Sequence, residues 1–376
     1  MNLLIASDSF KGSLSSIEVS NALERGLLSV MPNANITKLP IADGGEGTVD
    51  ALITATGGTI INTEVTGPSG NTIDSYFGIL PDGSAIIEMA AASGITLVKD
   101  GILDPLNTTT YGTGELIKKA LEMGCKKLYI GIGGSATNDG GIGMAQALGI
   151  SFKDKNGEEL PFGGGNLNKL QTIDILNSNK LLNEAEIIVI SDVTNPLCGP
   201  NGASFVYGPQ KGATPEMVEQ LDNNLMHLAD KIKEQLEKDV LDMPGSGAAG
   251  GLGAGLVAFC NARLERGIDI MLEILKFDEK LENADVVITG EGRIDSQSAH
   301  GKAISGIAKR AKSKNVPVIA IGGGLEEGYE ELYNTGVDLI LPIVDKPMPL
   351  EEAIKNAASL VESTGTHLAR ILSLSY

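Results

Sequence analysis

Charged and polar side chains recur just beyond short apolar runs, mostly beside glycines: Asp8 and Lys11 in DSFKGS, Asp43 and Glu46 in DGGEG, Asp192 and Asn195 in SDVTNP, and Glu291, Arg293, Asp295 and Lys302 in TGEGRIDSQSAHGK. The densest stretch, GIGGSATNDGG at Gly131–Gly141, follows the apolar run Lys127–Ile130 and precedes a helical pattern at Met144–Leu148. Seven of its eleven residues are glycine, serine or threonine, and Asp139 follows Asn138. A glycine turn at the carboxyl end of a buried strand brings backbone N–H groups close to a ligand, and a following helix adds its partial positive N-terminus, which suits an anion such as phosphate. Carboxylates can hold Mg2+ or accept a hydroxyl proton, and lysines can neutralise the charge on a moving phosphoryl group. The set suits phosphoryl transfer but does not select the acceptor.

The elements that must position these residues read as an open α/β sheet. Buried parallel strands are expected at Asn2–Ala6, Lys127–Ile132, Ile187–Ser191, Asp285–Thr289, Val316–Ile321 and Asp338–Pro342, most followed by a glycine or acidic turn and then a helix. In such sheets ligands bind beyond the carboxyl ends of the strands, where the candidate loops lie. Ser15 and Glu18 form a capping-box pattern before an apolar stripe through Ala22, Leu23, Leu27 and Val30. A long helix begins at Thr214-Pro215-Glu216, and a last one is expected from about Glu351 to Leu372. Thr59–Met89 alternates apolar and polar residues between turn sequences and reads as a β-meander. The expected organisation is a parallel α/β domain built from residues 1–60, 106–192 and 262–376, with a smaller mixed domain from 61–105 and 193–261.

Composition narrows the function. With 376 residues and 42% hydrophobic content, the chain can bury the cores of two domains of ordinary size. Its net charge of −19 argues against nucleic acid and anionic membrane as partners, since both require a basic face. The absence of tryptophan and an aromatic content of 4% disfavour stacking on bases or sugars. Cys125, Cys198 and Cys260 are isolated, which disfavours disulfides and structural zinc. No apolar run approaches the length of a membrane span, and no basic leader precedes the first apolar stretch, so a soluble cytoplasmic protein is expected.

Competing chemistries fit less well. Gly131, Gly133 and Ala136 match G-x-G-x-x-A, with Asp154 at a distance suited to a ribose, so an NAD-dependent oxidoreductase of a small hydroxy acid is the alternative enzyme. A second match, Gly245, Gly247 and Gly250, follows Pro244 rather than a strand. No Walker A loop, protein-kinase signature or serine nucleophile elbow is present. His227 and His367 fall on amphipathic helices and read as solvated, while His300 lies in a polar loop. A metabolite-binding protein without turnover is the reading outside catalysis, although no output element accompanies it.

Ten stretches, in order along the chain, carry a family resemblance: ASDSFKGSLS, PIADGGEGT, VTGP, EMAAASG, YGTGELI, GIGGSATNDGG, SDVTNPLCGPNGA, YGPQKGA, GSGAAGGLG and TGEGRIDSQSAHGK. Together they resemble the bacterial glycerate kinases of the glycerate kinase I type, from the first strand to the last helix. The resemblance implies ATP-dependent phosphorylation of D-glycerate with Mg2+, 2-phosphoglycerate being favoured over 3-phosphoglycerate, in small-acid catabolism. It further implies a flavodoxin-like α/β domain and a restriction-endonuclease-like domain with the active site between them. D-glycerate and ATP are then the partners, with a homodimer as the candidate assembly.

On this reading Asp192 is the candidate base, the alternative being that it caps the turn before Pro196. Asp8 and Lys11 complete the catalytic set. Lys11, Lys211 and Lys302 are candidates to contact phosphate or the glycerate carboxylate. Gly133, Gly134, Ser135 and Thr137 would cradle phosphates through backbone N–H groups. Ser9, Asp43, Gly44, Gly45, Asn138, Asp139, Asn195 and Arg293 are further binding candidates, and Asp43, Glu291 and Asp295 are the metal-side carboxylates.

Overall fold

In the computed structural model, residues 1–42, 44–98, 101, 103–299 and 303–374 are described. In chain order the strands are β1 (Asn2–Ser7), β2 (Asn35–Lys38), β3 (Thr59–Thr66), β4 (Thr72–Ile79), β5 (Ala85–Glu88), β6 (Lys127–Gly131), β7 (Ser151–Lys153), β8 (Thr172–Asp174), β9 (Glu186–Ile190), β10 (Arg263–Glu265), β11 (Val286–Ile294), β12 (Val318–Leu325) and β13 (Leu339–Pro342). The chain divides into two compact units, one of residues 1–43, 50–56 and 267–376, the other of residues 44–49 and 57–266. Among the described residues no helix is long and apolar enough to cross a membrane.

The first unit holds a parallel sheet in the order β13-β12-β11-β1-β2. Its inner strands β1, β11 and β12 are largely buried and apolar, as in sheets covered on both faces by crossover helices, whereas the edge strands β2 and β13 are more exposed. Ser15 caps the helix Ser16–Val30 by accepting the Glu18 N–H, while Glu18 accepts the Ser15 N–H at 2.8 Å. That helix lies so close to the helix Ala357–Ser373 that a side chain at Gly26 would collide with the Glu362 carbonyl. Leu3, Ile5, Leu23, Leu27, Ile288, Ile321, Val361 and Leu368 form the core beneath them.

The second unit holds a mixed sheet in the order β10-β9-β6-β5-β4-β3 and a small antiparallel pair, β7-β8. The expected meander is present as β3, β4 and β5, antiparallel to one another. From β5 onward the sheet turns parallel, with Ile86 opposite Tyr129 and Tyr129 opposite Ile188. The long helix starts where expected, at Pro215 behind the Thr214 cap, and ends at Leu236. Phe77, Ile87, Leu116, Ile130, Val189 and Leu252 belong to this core, and Phe152 meets Phe259 edge-on at 5.2 Å.

The domain division differs from the one expected. Residues 106–192 do not join β1; their strands β6 and β9 continue the sheet begun by the meander, and the mixed unit is the larger of the two. An apolar run marks a buried strand, but its pairing is set by neighbours distant in sequence. Two strands also outrun their apolar cores. β11 continues through Glu291 and Arg293 to Ile294, and β12 runs on beside it, with Gly322, Gly324 and Leu325 opposite Glu291, Arg293 and Ile294. The last helix is two, Leu350–Lys355 and Ala357–Ser373, meeting at Asn356.

Candidate active site

In the second unit three neighbouring parallel strands end together, β5 at Glu88, β6 at Gly131 and β9 at Ile190. The Gly44–Gly45 segment lies across two of these ends. Gly44 packs on the carbonyl of Ile190, and the Gly133 N–H reaches the Gly44 carbonyl at 3.3 Å. A Cβ on Gly131 would collide with that same Gly44 oxygen, so the approach of the two segments requires glycine there. The buried Glu88 carboxylate accepts the N–H of Val49 at 2.6 Å, placing negative charge at the start of the helix Thr48–Thr56, where the helix dipole favours it.

Beyond β6 the glycine-rich segment changes character along its length. Gly133 and Gly134 are exposed, whereas everything from Ser135 to Gly141 is buried. The Gly134 carbonyl accepts the Ile95 N–H at 2.9 Å and the Ala136 N–H donates to Ser93 at 3.0 Å, which clamps the turn. Asp139 is fully buried and accepts hydrogen bonds from the Thr110 N–H and hydroxyl, both at 2.8 Å, and from the N–H groups of Gly141 and Gly143 at 3.0 and 3.3 Å. Burial pushes its carboxyl up while these bonds favour the charged form. Lys211 is buried as well, and its Nζ donates to Ser135 Oγ at 2.6 Å and to the Thr137 carbonyl at 2.7 Å. Loss of solvent pulls this lysine down to about 7, with the charge of Asp139 acting in the opposite sense.

Behind the segment lies GSGAAGGLG. Gly250 has a left-handed backbone (φ +66°) and sits against the Thr137 carbonyl, where no other residue could stand. Gly247 donates its N–H to the Asn195 carbonyl at 3.1 Å. Asp192 is exposed just past β9, next to Ser191, whose Oγ accepts the Val193 N–H at 3.2 Å. Asn195 spans its own loop, donating to the Asn201 carbonyl and accepting the Tyr207 hydroxyl, both at 2.8 Å.

In the first unit the candidates also gather at strand ends. The Asp8 N–H donates to the Gly290 carbonyl at 2.9 Å, and Asp8 Oδ1 accepts the Ser9 N–H at 2.6 Å. Phe10 and Leu14 close a tight loop with Lys11 exposed at its tip, and Gly292 of β11 lies against the backbone of Phe10 and Lys11. Glu291 accepts the buried Ser298 hydroxyl, whose oxygen in turn accepts the Asp295 N–H at 3.1 Å. Arg293 is exposed and pairs with Asp295 at 3.2 Å and Glu326 at 3.3 Å. Asp43, Lys302 and His300 lie outside the described residues.

The sequence model of the glycerate kinase family matches residues 3–373. This chain belongs to that family. It is 50% identical to a glycerate kinase of Bacillus subtilis (strain 168), over 100% of this chain and 98% of that one. It is 49% identical to the glycerate 2-kinase of Escherichia coli (strain K12), with the same coverage. A crystal structure assigned as glycerate kinase 2 from Salmonella typhimurium LT2 is 50% identical and superposes with a TM-score of 0.89, covering 100% of this chain and 99% of that chain.

Membership of the glycerate kinase family makes the chain a kinase-class enzyme, and the geometry explains two patterns that pointed elsewhere. After Gly131 no helix opens until Ile142, and Asp154 turns the β7–β8 end by accepting the N–H groups of Asn156 and Glu158 at 2.8 and 3.0 Å. The dinucleotide pattern is therefore a match of letters without the strand–turn–helix it needs. The second glycine match is the kinked start of the helix Ala248–Cys260, packed on other loops. His227 is not solvated as expected, since its Nε2 lies 2.8 Å from the Leu170 carbonyl, whereas His367 is exposed. Cys198 and Cys260 are buried and pushed up to about 12, which keeps them as inert thiols. Glu88, Thr110 and Tyr207 were not singled out in the sequence. All three stand in or beside quoted motifs, but their roles depend on contacts 29 or more residues away for Glu88 and Thr110 and 12 for Tyr207.

Proposed function

We propose that this kinase transfers the γ-phosphoryl group of ATP to the 2-hydroxyl of D-glycerate, giving 2-phosphoglycerate and ADP in small-acid catabolism in the cytoplasm. The observation that carries the reading is the Gly133–Thr137 turn: exposed glycines at a parallel strand end, backed by a buried lysine and by a buried Thr137 hydroxyl that has no partner among the described residues. Family membership and the name of the Escherichia coli relative support the substrate and the 2-position.

In the proposed step the glycerate oxygen forms a bond to the γ-phosphorus as the bond to the ADP oxygen breaks. Asp192, exposed beyond β9, takes the hydroxyl proton; Asp8 and Lys11, just past β1, are the other two proposed catalytic residues. Gly134 and Ser135 present backbone N–H groups to phosphate, whereas the Gly133 N–H is taken by the Gly44 carbonyl and Gly133 serves by keeping the turn open. The carboxylates of Glu291 and Asp295 fit a hard cation, with Asp43 as a third candidate. Mg2+ bound there would supply charge neutralisation on the phosphate oxygens. Among the described residues no group of three or more histidine, cysteine or acidic ligands is preassembled, and Mg2+ ordinarily needs only one or two carboxylates beside phosphate and water. Asn138, Asp139 and Asn195 are reassigned from substrate contact to holding the loops, since their side chains are engaged with Ser204, with Thr110, Gly141 and Gly143, and with Asn201 and Tyr207 respectively.

Proton-coupled phosphorus NMR of a reaction with Mg-ATP and D-glycerate tests the reading. A new phosphomonoester split by one proton supports it, splitting by a methylene pair moves the product to the 3-isomer, and no new ester from folded protein overturns it. Asp192→Asn is expected to lower kcat by ~10²-fold or more; full turnover in that variant removes Asp192 as the base.

A further inference from the structure

Lys211 is an unusual place to keep a cation. It is 2% exposed and, among the described residues, no carboxylate stands within ion-pair distance of it. Its two recorded acceptors are both neutral, a hydroxyl and a carbonyl. A buried charge so poorly compensated is costly unless something anionic completes it. An ammonium carries three N–H donors, so one remains beyond Ser135 and Thr137.

The hydroxyl of Ser135 has the complementary problem. It can accept two hydrogen bonds and donate one. Lys211 occupies one accepting position at 2.6 Å, and among the described residues no protein group accepts the serine proton. The neighbouring Thr137 hydroxyl is also buried and, among the described residues, has no partner. Ser135 itself is only 9% exposed, but the two residues before it, Gly133 and Gly134, are exposed. Unspent donors therefore accumulate just inside an open glycine turn. Lys211 is fixed there from its own side, by the turn that bonds its N–H to Gly208 at 3.0 Å and by the left-handed Gly212 after it.

We infer that Ser135 is a substrate-contacting residue through its side chain and Lys211 its positioning residue: the ammonium engages Ser135 Oγ, leaving the hydroxyl proton to donate to an anionic oxygen of a bound substrate. That oxygen belongs either to a nucleotide phosphate or to the glycerate carboxylate. The assignment rests on the kinase reading above and adds a side-chain contact to the backbone cradle. It gives the lowered proton affinity of Lys211 a use, because an anion arriving beside it restores the charged form.

Titration calorimetry on the whole protein decides it, with Mg2+ and a non-hydrolysable ATP analogue in one arm and D-glycerate in the other. Ser135→Ala is expected to weaken one of the two ligands by about 10- to 100-fold, the range for a lost hydrogen bond to a charged group, while the other ligand binds as before. The ligand affected identifies the source of the oxygen. Ser135→Thr, which keeps the hydroxyl, is expected to restore binding, a rescue that loss of packing alone would not give. Lys211→Met is expected to weaken the same ligand as Ser135→Ala; if Lys211→Met does not fold, the two serine variants still decide. Unchanged affinities in Ser135→Ala, or equal weakening of both ligands, overturn the assignment. If the wild type phosphorylates glycerate while Ser135→Ala binds like the wild type, only this assignment falls. If the wild type binds neither ligand, the kinase reading itself falls.

Discussion

The two units place candidate chemistry at the same topological position, the carboxyl ends of parallel strands, but build it differently. In the second unit the residues around β5, β6 and β9 are buried and mutually committed. Glu88 holds the start of a helix, Asp139 collects donors from two chain segments, and Lys211 pins the glycine turn from behind. In the first unit Asp8 accepts from Ser9 and Asp295 from Gln297, both near neighbours in sequence, and the cations Lys11 and Arg293 are exposed. One set is preorganised, with donors fixed before a ligand arrives, as suits a phosphate cradle. The other keeps carboxylates on short local tethers, as suits a metal whose shell is completed by water and phosphate.

The sharpest test of that contrast is to remove Asp139. Asp139→Ala leaves buried donors from Thr110, Gly141 and Gly143 without an acceptor, at about 1–3 kcal/mol each. Set against a typical stability of about 5–15 kcal/mol, that is expected to abolish soluble folded protein or to collapse its melting temperature. A melting curve like the wild type's would mean that the second unit is not preorganised as described. A milder test compares two glycines at strand ends. Gly131→Ala drives a methyl group into the Gly44 carbonyl and is expected to cost about 1–3 kcal/mol and to displace the DGGEG segment. Gly324→Ala in β12 meets open space and is expected to change stability by at most about 0.5 kcal/mol. Chemical denaturation of both variants gives the comparison directly.

Much of this arrangement was legible from local pattern. The capping box at Ser15 and Glu18, the hairpins around Gly67–Gly70 and Pro81–Gly83, the proline-initiated helix at Pro215 and the strands before the loops of Asp8, Gly133, Asp192 and Glu291 all depend on residues close in sequence, whereas β2, ahead of DGGEG, was not expected. The division into units was not legible, because β6 looks the same whether it joins β1 or β5 and only the distant pairing of Ile86 with Tyr129 decides. For the same reason the sequence could nominate Asp139, Asn138 and Lys211 but not separate them. Each is polar and sits on a glycine-rich loop, and only burial reveals that their side chains hold the loops in place. The local environment of Lys211, two neutral acceptors and a carboxylate beyond ion-pair range, is assembled from segments more than 70 residues apart.

That environment carries a pH signature confined to the second unit. The ordinary lysine value is 10.5, and in the folded protein burial lowers Lys211 to about 7. Between those values the unfolded chain binds the proton and the folded chain does not, so this group's contribution to stability rises with pH from about 7 to about 10.5 and is flat below 7. The melting temperature of the wild type relative to Lys211→Met is therefore expected to improve across that window, by about 2 °C or more. Exposed groups common to both proteins cancel in the difference, and Asp139, the charged neighbour that opposes the shift, would narrow the window rather than reverse it. A difference that stays level from pH 7 to pH 10, or that declines, would show that Lys211 keeps its proton in the fold.

The smallest effect is expected in the first unit, at Arg293. Its guanidinium bridges Asp295 and Glu326 at 3.2 and 3.3 Å but is 63% exposed, so solvent screens both contacts. Arg293→Ala should change stability by about 0–1 kcal/mol, and less in high salt. Because Asp295 also accepts the Gln297 N–H and gives its own N–H to Ser298, the carboxylate should stay in place without the arginine. Arg293 was a binding candidate, and the variant separates that role from mere surface pairing. If it only neutralises Asp295 and Glu326, the Michaelis constants for both substrates remain at wild-type values. If it binds an anion, one constant rises while the melting temperature does not move, and the first unit then holds a ligand-binding cation of its own, exposed where Lys211 is buried.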